Sequence, residues 1–409
     1  MHRHLLLANY GLLLLLAGCS SLAPLLSSPT PDPVLQATST PQLVPTQSAP
    51  VSSEARILRV WLPSQFDPDG DTPSANLLRQ RLAEFESEHA GIEIEVRIKA
   101  EDGDSGPLNS LDVTSLAAPR VLPDLIALSR PDLESAALKG LLHPIKELTS
   151  ALDDPNWYAY ARELSRVQNV EYGLPFAGDA LVMIHRPEVD VSSWDAILTK
   201  EEHLSFFAND PQGSVGLSFY ISAGGKILDE QGLPALEEEY LFRALTVIEL
   251  GAQADVFSSS LLNIETNGQT LQAYRDGRTN IAFTWAANYR GAEDGIIQPV
   301  LGLNTPHTFA TGWTWALAGS DIENQQVAME LAEFLVAEEF LDNWTRETGY
   351  LPTRISQDAG VNAILESAQA IPSNDVLAVL GPLMQEALTR VLNGEQAEVV
   401  ARSVIEKLK

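Results

Sequence analysis

Residues 57–62 read Ile-Leu-Arg-Val-Trp-Leu, a mostly apolar run of strand length that predicts a buried strand and begins the folded part of the chain. Residues 73–85 follow with a proline at the start and apolar residues at helical spacing, which predicts a helix. Residues 92–98 alternate apolar with charged side chains, as a strand with one wet face does. A third apolar run at 125–128 precedes a helix predicted to end near Gly140. Strand, helix, strand, strand, helix predicts an α/β lobe.

The second half of the chain predicts another α/β set. The predicted strands are residues 181–184, 281–284 and 315–318. A short helix capped by Ser192-Ser193 is predicted, and further helical segments are predicted at residues 236–250, 271–275 and 325–344. The helix at 325–344 is expected to bury Val327, Leu331, Leu335 and Phe340. Two terminal helices are expected to be separated at Asn393-Gly394, because this pair is typical of a helix C-terminus.

Composition restricts the function classes. The chain has 409 residues, enough for two domains with a sizeable core, and 45% of them are hydrophobic. Its 55 acidic and 26 basic residues give a net charge of -29, which disfavours binding to nucleic acid. With a single cysteine, no disulfide can form within the chain.

The N-terminus predicts export and a membrane anchor. A basic start and a Leu-rich run make residues 1–18 a signal peptide, too short in its apolar part to span a bilayer. Cys19 follows Leu-Ala-Gly, an order that resembles the bacterial lipobox, in which the cysteine carries lipid. The alternative is an ordinary signal peptide with an incidental cysteine. Residues 19–54 are rich in Pro, Ser and Thr and predict a tether, so the rest should work outside the cytoplasmic membrane.

No catalytic or cofactor motif is present in the sequence. The histidines show no metal-ligand spacing, and no nucleophile elbow or phosphate-binding glycine loop occurs. Residues 67–71, Asp-Pro-Asp-Gly-Asp, resemble part of a calcium loop, but the glycine is misplaced, so a simple turn is favoured. We therefore expect no enzyme, no cofactor and no metal site.

From Arg56 onwards, the order of short motifs resembles the extracellular solute-binding proteins of ABC importers, in the group of maltose- and oligosaccharide-binding proteins. The motifs are residues 82–86, 122–126, 140–145, 172–176, 224–232, 274–278 with Trp285, and 348–353. One departure is His185-Arg186-Pro187, where the family usually has Tyr-Asn-Lys.

The resemblance implies a two-lobed α/β fold of the periplasmic-binding-protein type II, with a ligand cleft between lobes that close by a hinge motion. Lobe 1 is expected to comprise residues 55–178 plus about 303–344, and lobe 2 residues 179–302 plus about 345–409. It implies a monomer that binds a small solute and meets ABC permease subunits in the membrane. Ligand loops should lie at strand ends facing the cleft.

Three candidate contacts follow from the matched motifs. Asp179 lies where the chain should cross between lobes, and its carboxylate can accept from two sugar hydroxyls; the alternative is a hinge turn in which it caps an amide. Trp285 ends a strand where the family often stacks an indole on a sugar ring, against the alternative of a core tryptophan. Tyr289 is a weaker neighbouring candidate.

The remaining candidates come from loops after other strands. Trp313, rather than Trp315, is expected to face the cleft, and Tyr350 is a second aromatic candidate. Arg130 or Asp132 corresponds to a family loop that contacts hydroxyls, although Asp132 as a helix cap is equally favoured. The last candidates are Gln65 and Ser214.

Four functions remain open at this point. The favoured one is a lipid-anchored receptor of an ABC importer that binds a mono- or oligosaccharide. The same fold could instead bind a polyamine, a polyol phosphate or another small solute, and the acidic composition would suit a cation. A receptor that presents its ligand to a sensor kinase fits equally well, whereas a secreted hydrolase is disfavoured because no nucleophile or metal motif occurs.

Overall fold

The computed structural model describes residues 55–200, 202–289 and 295–409. The predicted signal peptide, Cys19 and the tether lie outside the described residues. The strands are β1 (Arg56–Pro63), β2 (Ile92–Lys99), β3 (Leu125–Ser129), β4 (Arg166–Val167), β5 (Val170–Glu171), β6 (Gly173–His185), β7 (Leu204–Ser205), β8 (Ile281–Trp285), β9 (Ile296–Pro299), β10 (Thr308–Leu317) and β11 (Ala368–Ala370). The helices are α1 (Pro73–Glu88), α2 (Pro107–Ala117), α3 (Arg130–Leu138), α4 (Ala159–Leu164), α5 (Trp194–Thr199), α6 (Ser214–Ser222), α7 (Glu238–Gln253), α8 (Asn267–Arg275), α9 (Ile322–Leu335), α10 (Glu338–Thr348), α11 (Ala359–Glu366), α12 (Asn374–Leu392) and α13 (Ala397–Leu408).

The first lobe is an α/β layer structure, as the sequence predicts. Its strands run in the order β2-β1-β3-β10-β6, with β1 parallel to β2 and β3, and β10 antiparallel to β3 and β6. Apolar residues of α1, α9 and α10 cover one face of the sheet, and those of α2 and α3 cover the other. Because helices cover both faces, β3 is buried along almost its whole length.

The second lobe is built on the C-terminal half of β6. β8 and β9 pair antiparallel with it, and β7 pairs parallel with β8. Side chains alternate across the sheet: Leu181 and Met183 pack in a core with α6, α7, α12 and α13, whereas Val182 and Ile184 pack on the face that α8 and α11 cover. The lobe is therefore also a sheet between helix layers.

Strand β6 joins the two lobes. Its residues up to Ala180 pair with β10, and from Leu181 onwards they pair with β8. All thirteen residues of β6 are buried. Asp179 consequently lies where the strand changes partners, as expected for a crossing segment. The predicted residue boundaries of the lobes stay predictions.

One predicted helix is wrong. Residues 325–344 form not one helix but α9 and α10, separated at Val336 and Ala337. The Val336 amide donates to the carbonyls of Ala332 and Glu333, which closes α9, and Ala337 is extended at ψ 136°. The change of direction buries Leu341 and Trp344 in the first lobe. Helix-forming residues continue through the break, so tertiary packing overrides local propensity here.

The predicted break between the terminal helices is confirmed. α12 ends at Leu392 with Asn393 as its C-cap, and Gly394 takes a left-handed φ of 90°. α13 begins at Ala397 and packs its buried face against α7 and α12. Among the described residues, no helix has both the length and the apolar character needed to cross a membrane.

Candidate functional site

Asp179 occupies the crossing point of β6 and is buried, with 9% of its surface exposed. Its Oδ1 accepts hydrogen bonds from the amides of Ala180, at 2.8 Å, and Ala287, at 2.9 Å. Ala287 belongs to the short 3-10 turn Ala286–Asn288 that directly follows β8. The carboxylate therefore holds this turn of the second lobe against the crossing strand, and the predicted alternative of amide capping is also realised.

Burial raises the pKa of Asp179 to about 7, against the stabilising effect of the amides of Ala287, Ala180 and Ala286 on the charged form. Within the described residues, Asp179 forms no salt bridge. A buried carboxyl group whose pKa lies near neutrality favours a partner that donates hydrogen bonds or carries positive charge.

A backbone bridge brings Tyr350 to the same place. The Gly178 amide donates to the Leu351 carbonyl at 2.8 Å, and the Leu351 amide donates back at 2.7 Å. A Cβ atom at Gly178 would lie 2.1 Å from the Tyr160 hydroxyl and 2.9 Å from the Leu351 carbonyl, so only glycine permits this approach. The pairing places Tyr350 beside the residue that follows Gly178, namely Asp179.

An aromatic cluster forms the apolar wall. The Phe66 ring lies 5.3 Å from that of Trp313, edge to face, and 5.4 Å from that of Tyr350. Trp315 lies deeper on the same side, stacked on Phe176 at 4.4 Å. Trp313 rather than Trp315 therefore reaches the open space, which agrees with the choice made from the sequence.

These elements surround a cavity of about 370 Å³ between the lobes. The lining residues are Gln65, Glu101, Ser129, Asp179, Ala287, Asn288, Thr311, Gly312, Trp313 and Tyr350. Four of the predicted contacts, Gln65, Asp179, Trp313 and Tyr350, come together here from separate segments. The first follows β1, the second and third lie within β6 and β10, and the fourth follows α10.

The side-chain amide of Gln65 has no hydrogen-bond partner of good geometry among the described residues. Its Oε1 and Nε2 atoms are both buried, although the side chain lies close to the Tyr350 hydroxyl. Burial raises the pKa of Tyr350 to about 12, so its hydroxyl stays protonated and can donate. A ligand hydroxyl in the cavity would supply the partners that Gln65 lacks.

Two of the predicted contacts, Trp285 and Tyr289, are not among the residues that line the cavity. Trp285 pairs with Leu181 at the end of β8 and packs, partly buried, against the second-lobe core. Tyr289 is buried against Tyr274 and other residues of the opposite face. The 3-10 turn between them, rather than either ring, supplies the cavity residues Ala287 and Asn288.

Three further predicted contacts have structural partners outside the cavity. Arg130 begins α3 and forms a buried ion pair with Glu134 at 3.3 Å. Asp132 lies in the first turn of α3, and its amide donates to Ser129, so Ser129 and not Asp132 caps the helix. Ser214 is buried at the start of α6, where its amide donates to Asp210 at 2.8 Å.

Sequence reasoning missed four polar residues that line the cavity. Ser129 lies one residue before Arg130 and Thr311 lies two residues before Trp313, but Arg130 and Trp313 were predicted as the contacts instead. Glu101 follows β2, and Asn288 ends the turn after β8. Their position after strands is the signal that could have found them, since ligand loops collect at strand ends in α/β folds.

A larger cavity, of about 570 Å³, lies elsewhere on the second lobe. Residues of β7, the 258–264 segment and α8 line it. It lies away from the crossing strands. We therefore place the site at the smaller cavity, where buried acceptors and aromatic rings converge.

Metal-ligating side chains do not cluster in the part of the chain that the structure describes. No group of His, Cys, Asp and Glu side chains there could hold a metal ion. Asp67 accepts the Asp69 amide within its own turn, as the simple-turn interpretation of that acidic segment expects.

A comparison with known families identifies the group of proteins to which the fold belongs. The model of the family described as bacterial extracellular solute-binding protein matches residues 80–370. The chain belongs to this family. The matched span runs from the middle of α1 to the end of β11 and includes most of the cavity residues. The family consists of binding proteins rather than enzymes. No curated protein sequence matches the chain.

Solved structures of solute-binding proteins share the two-lobed fold. The cyclic α-maltosyl-1,6-maltose binding protein of Arthrobacter globiformis is 14% identical, with a TM-score of 0.69, over 86% of this chain and 98% of that protein. The maltose-bound MalE3 protein of T. maritima is 16% identical, with a TM-score of 0.65, over 86% of this chain and 98% of that protein. An ABC transporter solute-binding protein of Thermotoga lettingae, solved with bound α-D-tagatose, is 19% identical, with a TM-score of 0.62. The match covers 87% of this chain and 100% of that protein.

Proposed function

We propose that this solute-binding protein is the extracytoplasmic receptor of an ABC importer and that it captures a carbohydrate between its lobes. The observation that carries the proposal is the cavity at the crossing strands, where the Asp179 carboxylate and the Gln65 amide face the Trp313 and Tyr350 rings. Hydrogen-bonding groups beside aromatic faces match a sugar, which has hydroxyls around its edge and C–H groups on its faces.

Each lining group has a role in this proposal. The carboxyl group of Asp179 accepts from sugar hydroxyls, and Gln65 can both donate and accept. Trp313 and Tyr350 supply apolar area with little loss of conformational freedom on binding. Serine and threonine hydroxyls at Ser129 and Thr311 extend the polar side of the cavity.

Sugars are the ligands named for several solved proteins that share this fold. The related proteins above were solved with maltose and α-D-tagatose, or are described as binding a cyclic maltosyl-maltose. The identities of 14–19% carry the fold and not the ligand, so the identity of the sugar rests on this chain's own cavity.

The membrane anchor and the permease partner complete the proposal. Lipid on Cys19 holds the receptor at the outer face of the membrane, and residues 20–54 act as the tether. Fully extended at about 3.1 Å per residue, a Pro-rich segment of this length would reach roughly 100 Å. Hinge closure on the ligand then presents a closed receptor to the permease subunits.

A cationic solute such as a polyamine is the second candidate. Two carboxyl side chains, Asp179 and Glu101, line the cavity, and aromatic rings also bind ammonium groups. Within the described residues, the nearby Arg130 is engaged by Glu134 rather than by the cavity.

A thermal-shift screen separates the candidates. The purified protein is heated with mono- and oligosaccharides, with spermidine and putrescine, and with inorganic phosphate. A ligand at 100 times its Kd stabilises the folded state by about 2.7 kcal/mol. We expect the largest shift from a carbohydrate. A rise in melting temperature with the polyamines alone would show that the ligand is a cationic solute and not a sugar.

A further inference from the structure

Helices α3 and α12 meet across the two lobes. The Nδ2 of Asn374, the first residue of α12, donates to the Pro131 carbonyl at 2.9 Å and to the Ser135 hydroxyl at 3.2 Å. The backbone amide of Asn374 donates to Glu134 Oε1 at 3.0 Å. One residue therefore makes three hydrogen bonds to a single turn of the partner helix.

The two helices belong to different cores. Leu133 and Ala136 of α3 pack beneath the sheet of the first lobe. Val376 and Leu380 of α12 pack in the core of the second lobe. Any opening of the lobes that moves these helices apart must break all three hydrogen bonds together.

The acceptor on the first lobe is held in place by a buried ion pair. Glu134 is 5% exposed, and its Oε2 lies 3.3 Å from Arg130, while Oε1 faces Asn374. A carboxylate at the N-terminus of the 19-residue helix α12 is also favoured by the helix dipole. One oxygen of the Glu134 carboxylate is thus held by Arg130 in its own lobe, and the other accepts the Asn374 amide of the opposite lobe.

This contact adjoins the ligand cavity. Ser129, which caps α3 at the residue before Arg130, lines the cavity beside Asp179 and Trp313. Ligand that pulls the lobes together would bring α3 towards α12 by the same movement.

We propose that Asn374, Pro131, Glu134 and Ser135 form a clasp that holds the cleft closed and so sets how long the solute stays bound. This inference rests on the proposed hinge closure over a ligand. Asn374 positions the lobes and does not touch the ligand. If the clasp favours the closed state, removing it reduces the closed fraction, and apparent affinity falls in proportion.

The test compares Asn374→Ala with Ser373→Ala in the purified protein. Ser373 is the matched control because, among the described residues, its hydroxyl bonds to Asp375 at the start of the same helix and caps no amide. Small-angle X-ray scattering measures the average opening of the ligand-free protein, and stopped-flow fluorescence measures dissociation of maltotriose. For Asn374→Ala we expect a larger radius of gyration and dissociation about 5–30-fold faster, with wild-type values for Ser373→Ala.

The clasp is overturned if Asn374→Ala matches wild type in both scattering and dissociation rate. Equal changes in Ser373→Ala would also overturn it, because the effect would then belong to the helix end in general. If maltotriose fails to bind wild-type protein, that result counts against the carbohydrate assignment. The scattering comparison then decides the clasp alone, and an unchanged curve rejects it.

Discussion

Asp179 concentrates the chemistry of the site in one side chain. It is buried at the crossing of the lobes, accepts two backbone amides and has a pKa raised to about 7. The amides satisfy one carboxylate oxygen, which leaves acceptor capacity directed to the cavity. The residue is therefore a structural acceptor, and we propose that it is also a binding group.

The raised pKa predicts a dependence of stability on pH. Folding favours the protonated form of Asp179, so its stabilising contribution is full below the ordinary pKa of 3.8 and is lost as the pH rises through about 7. Asp179→Asn, which cannot ionise, should therefore gain stability relative to wild type as the pH is raised from about 4 to about 8. Urea unfolding of both proteins without ligand measures this. A stability difference that stays constant over the range would contradict the burial of the charge.

Tyr350 offers a conservative change to the polar side of the cavity. Tyr350→Phe keeps the ring that packs 5.4 Å from Phe66 but removes the hydroxyl beside Gln65. We expect sugar binding to weaken by about 0.5–1.5 kcal/mol, the net contribution of one hydrogen bond, with little change in melting temperature. Calorimetric titration with the best sugar from the thermal-shift screen provides the test. Wild-type affinity in the variant would remove the Tyr350 hydroxyl from the site.

The sequence predicted those site residues that backbone pairing alone brings to the crossing point. Asp179, Trp313 and Tyr350 lie on β6, on β10 or beside the bridge to Gly178, and their motifs mark those positions. The sequence could not predict which way the side chains near Trp285 and Arg130 point. A strand end fixes the location of a loop, whereas the three-residue turn Ala286–Asn288 and the buried Arg130–Glu134 ion pair decide which side chain faces the cavity.

At the scale of elements, β6 differs most from expectation. The apolar run at 181–184 predicted a short strand, whereas β6 extends over Gly173–His185. Glycine and proline in its first half argue against a strand on propensity alone. The first half of β6 pairs with β10 on one side, and the 350–353 segment approaches it closely on the other. Glycine permits this close packing, so tertiary contacts explain why the strand is longer than the local sequence pattern predicts.

Gly178 tests whether that close approach holds the site together. Gly178→Ala places a Cβ atom 2.1 Å from the Tyr160 hydroxyl, so β6 and the Tyr350 segment must separate. We expect a loss of about 1–3 kcal/mol in the free energy of unfolding, as for other overpacked sites, together with weaker ligand binding.

Gly268→Ala is the matched control for this substitution. Gly268 lies in the first turn of α8, where an added Cβ has only the Thr266 hydroxyl nearby, at 3.8 Å. It should be neutral or stabilising by up to about 1 kcal/mol, because alanine favours a helix over glycine. Equal unfolding free energies for the two variants would show that the Gly178 position tolerates a side chain.

At the scale of the molecule, two α/β lobes share one continuous sheet path through β6 and β10. The order of elements predicted this fold class, because alternating strands and helices restrict the layers that can form. The helix break at Val336 was not predictable from periodicity, since the residues on both sides form helices and only the packing of Leu341 and Trp344 separates them.

The proposed anchor makes a prediction about the whole chain in the cell. Lipid chains contribute about 0.8 kcal/mol per buried CH₂, so two or three of them hold a protein at a bilayer without a transmembrane helix. Cys19→Ser should therefore move the protein from the membrane fraction to the soluble extracytoplasmic fraction or leave it unprocessed. Fractionation and immunoblotting measure this. Retention of a normally sized protein in the membrane fraction would exclude lipid on Cys19 as the anchor.

Calorimetric titration of wild type, Trp313→Ala and Trp285→Ala with the sugar selected by the thermal-shift screen tests most directly whether the ligand binds in the cavity between the lobes. Trp313 lines the cavity between the lobes, whereas Trp285 packs against the second-lobe core. We predict one binding site per chain in wild type, a loss of about 1–3 kcal/mol in Trp313→Ala and near wild-type affinity in Trp285→Ala. Sugar binding that survives Trp313→Ala unchanged, or that is lost only in Trp285→Ala, would contradict the placement of the ligand in this cavity.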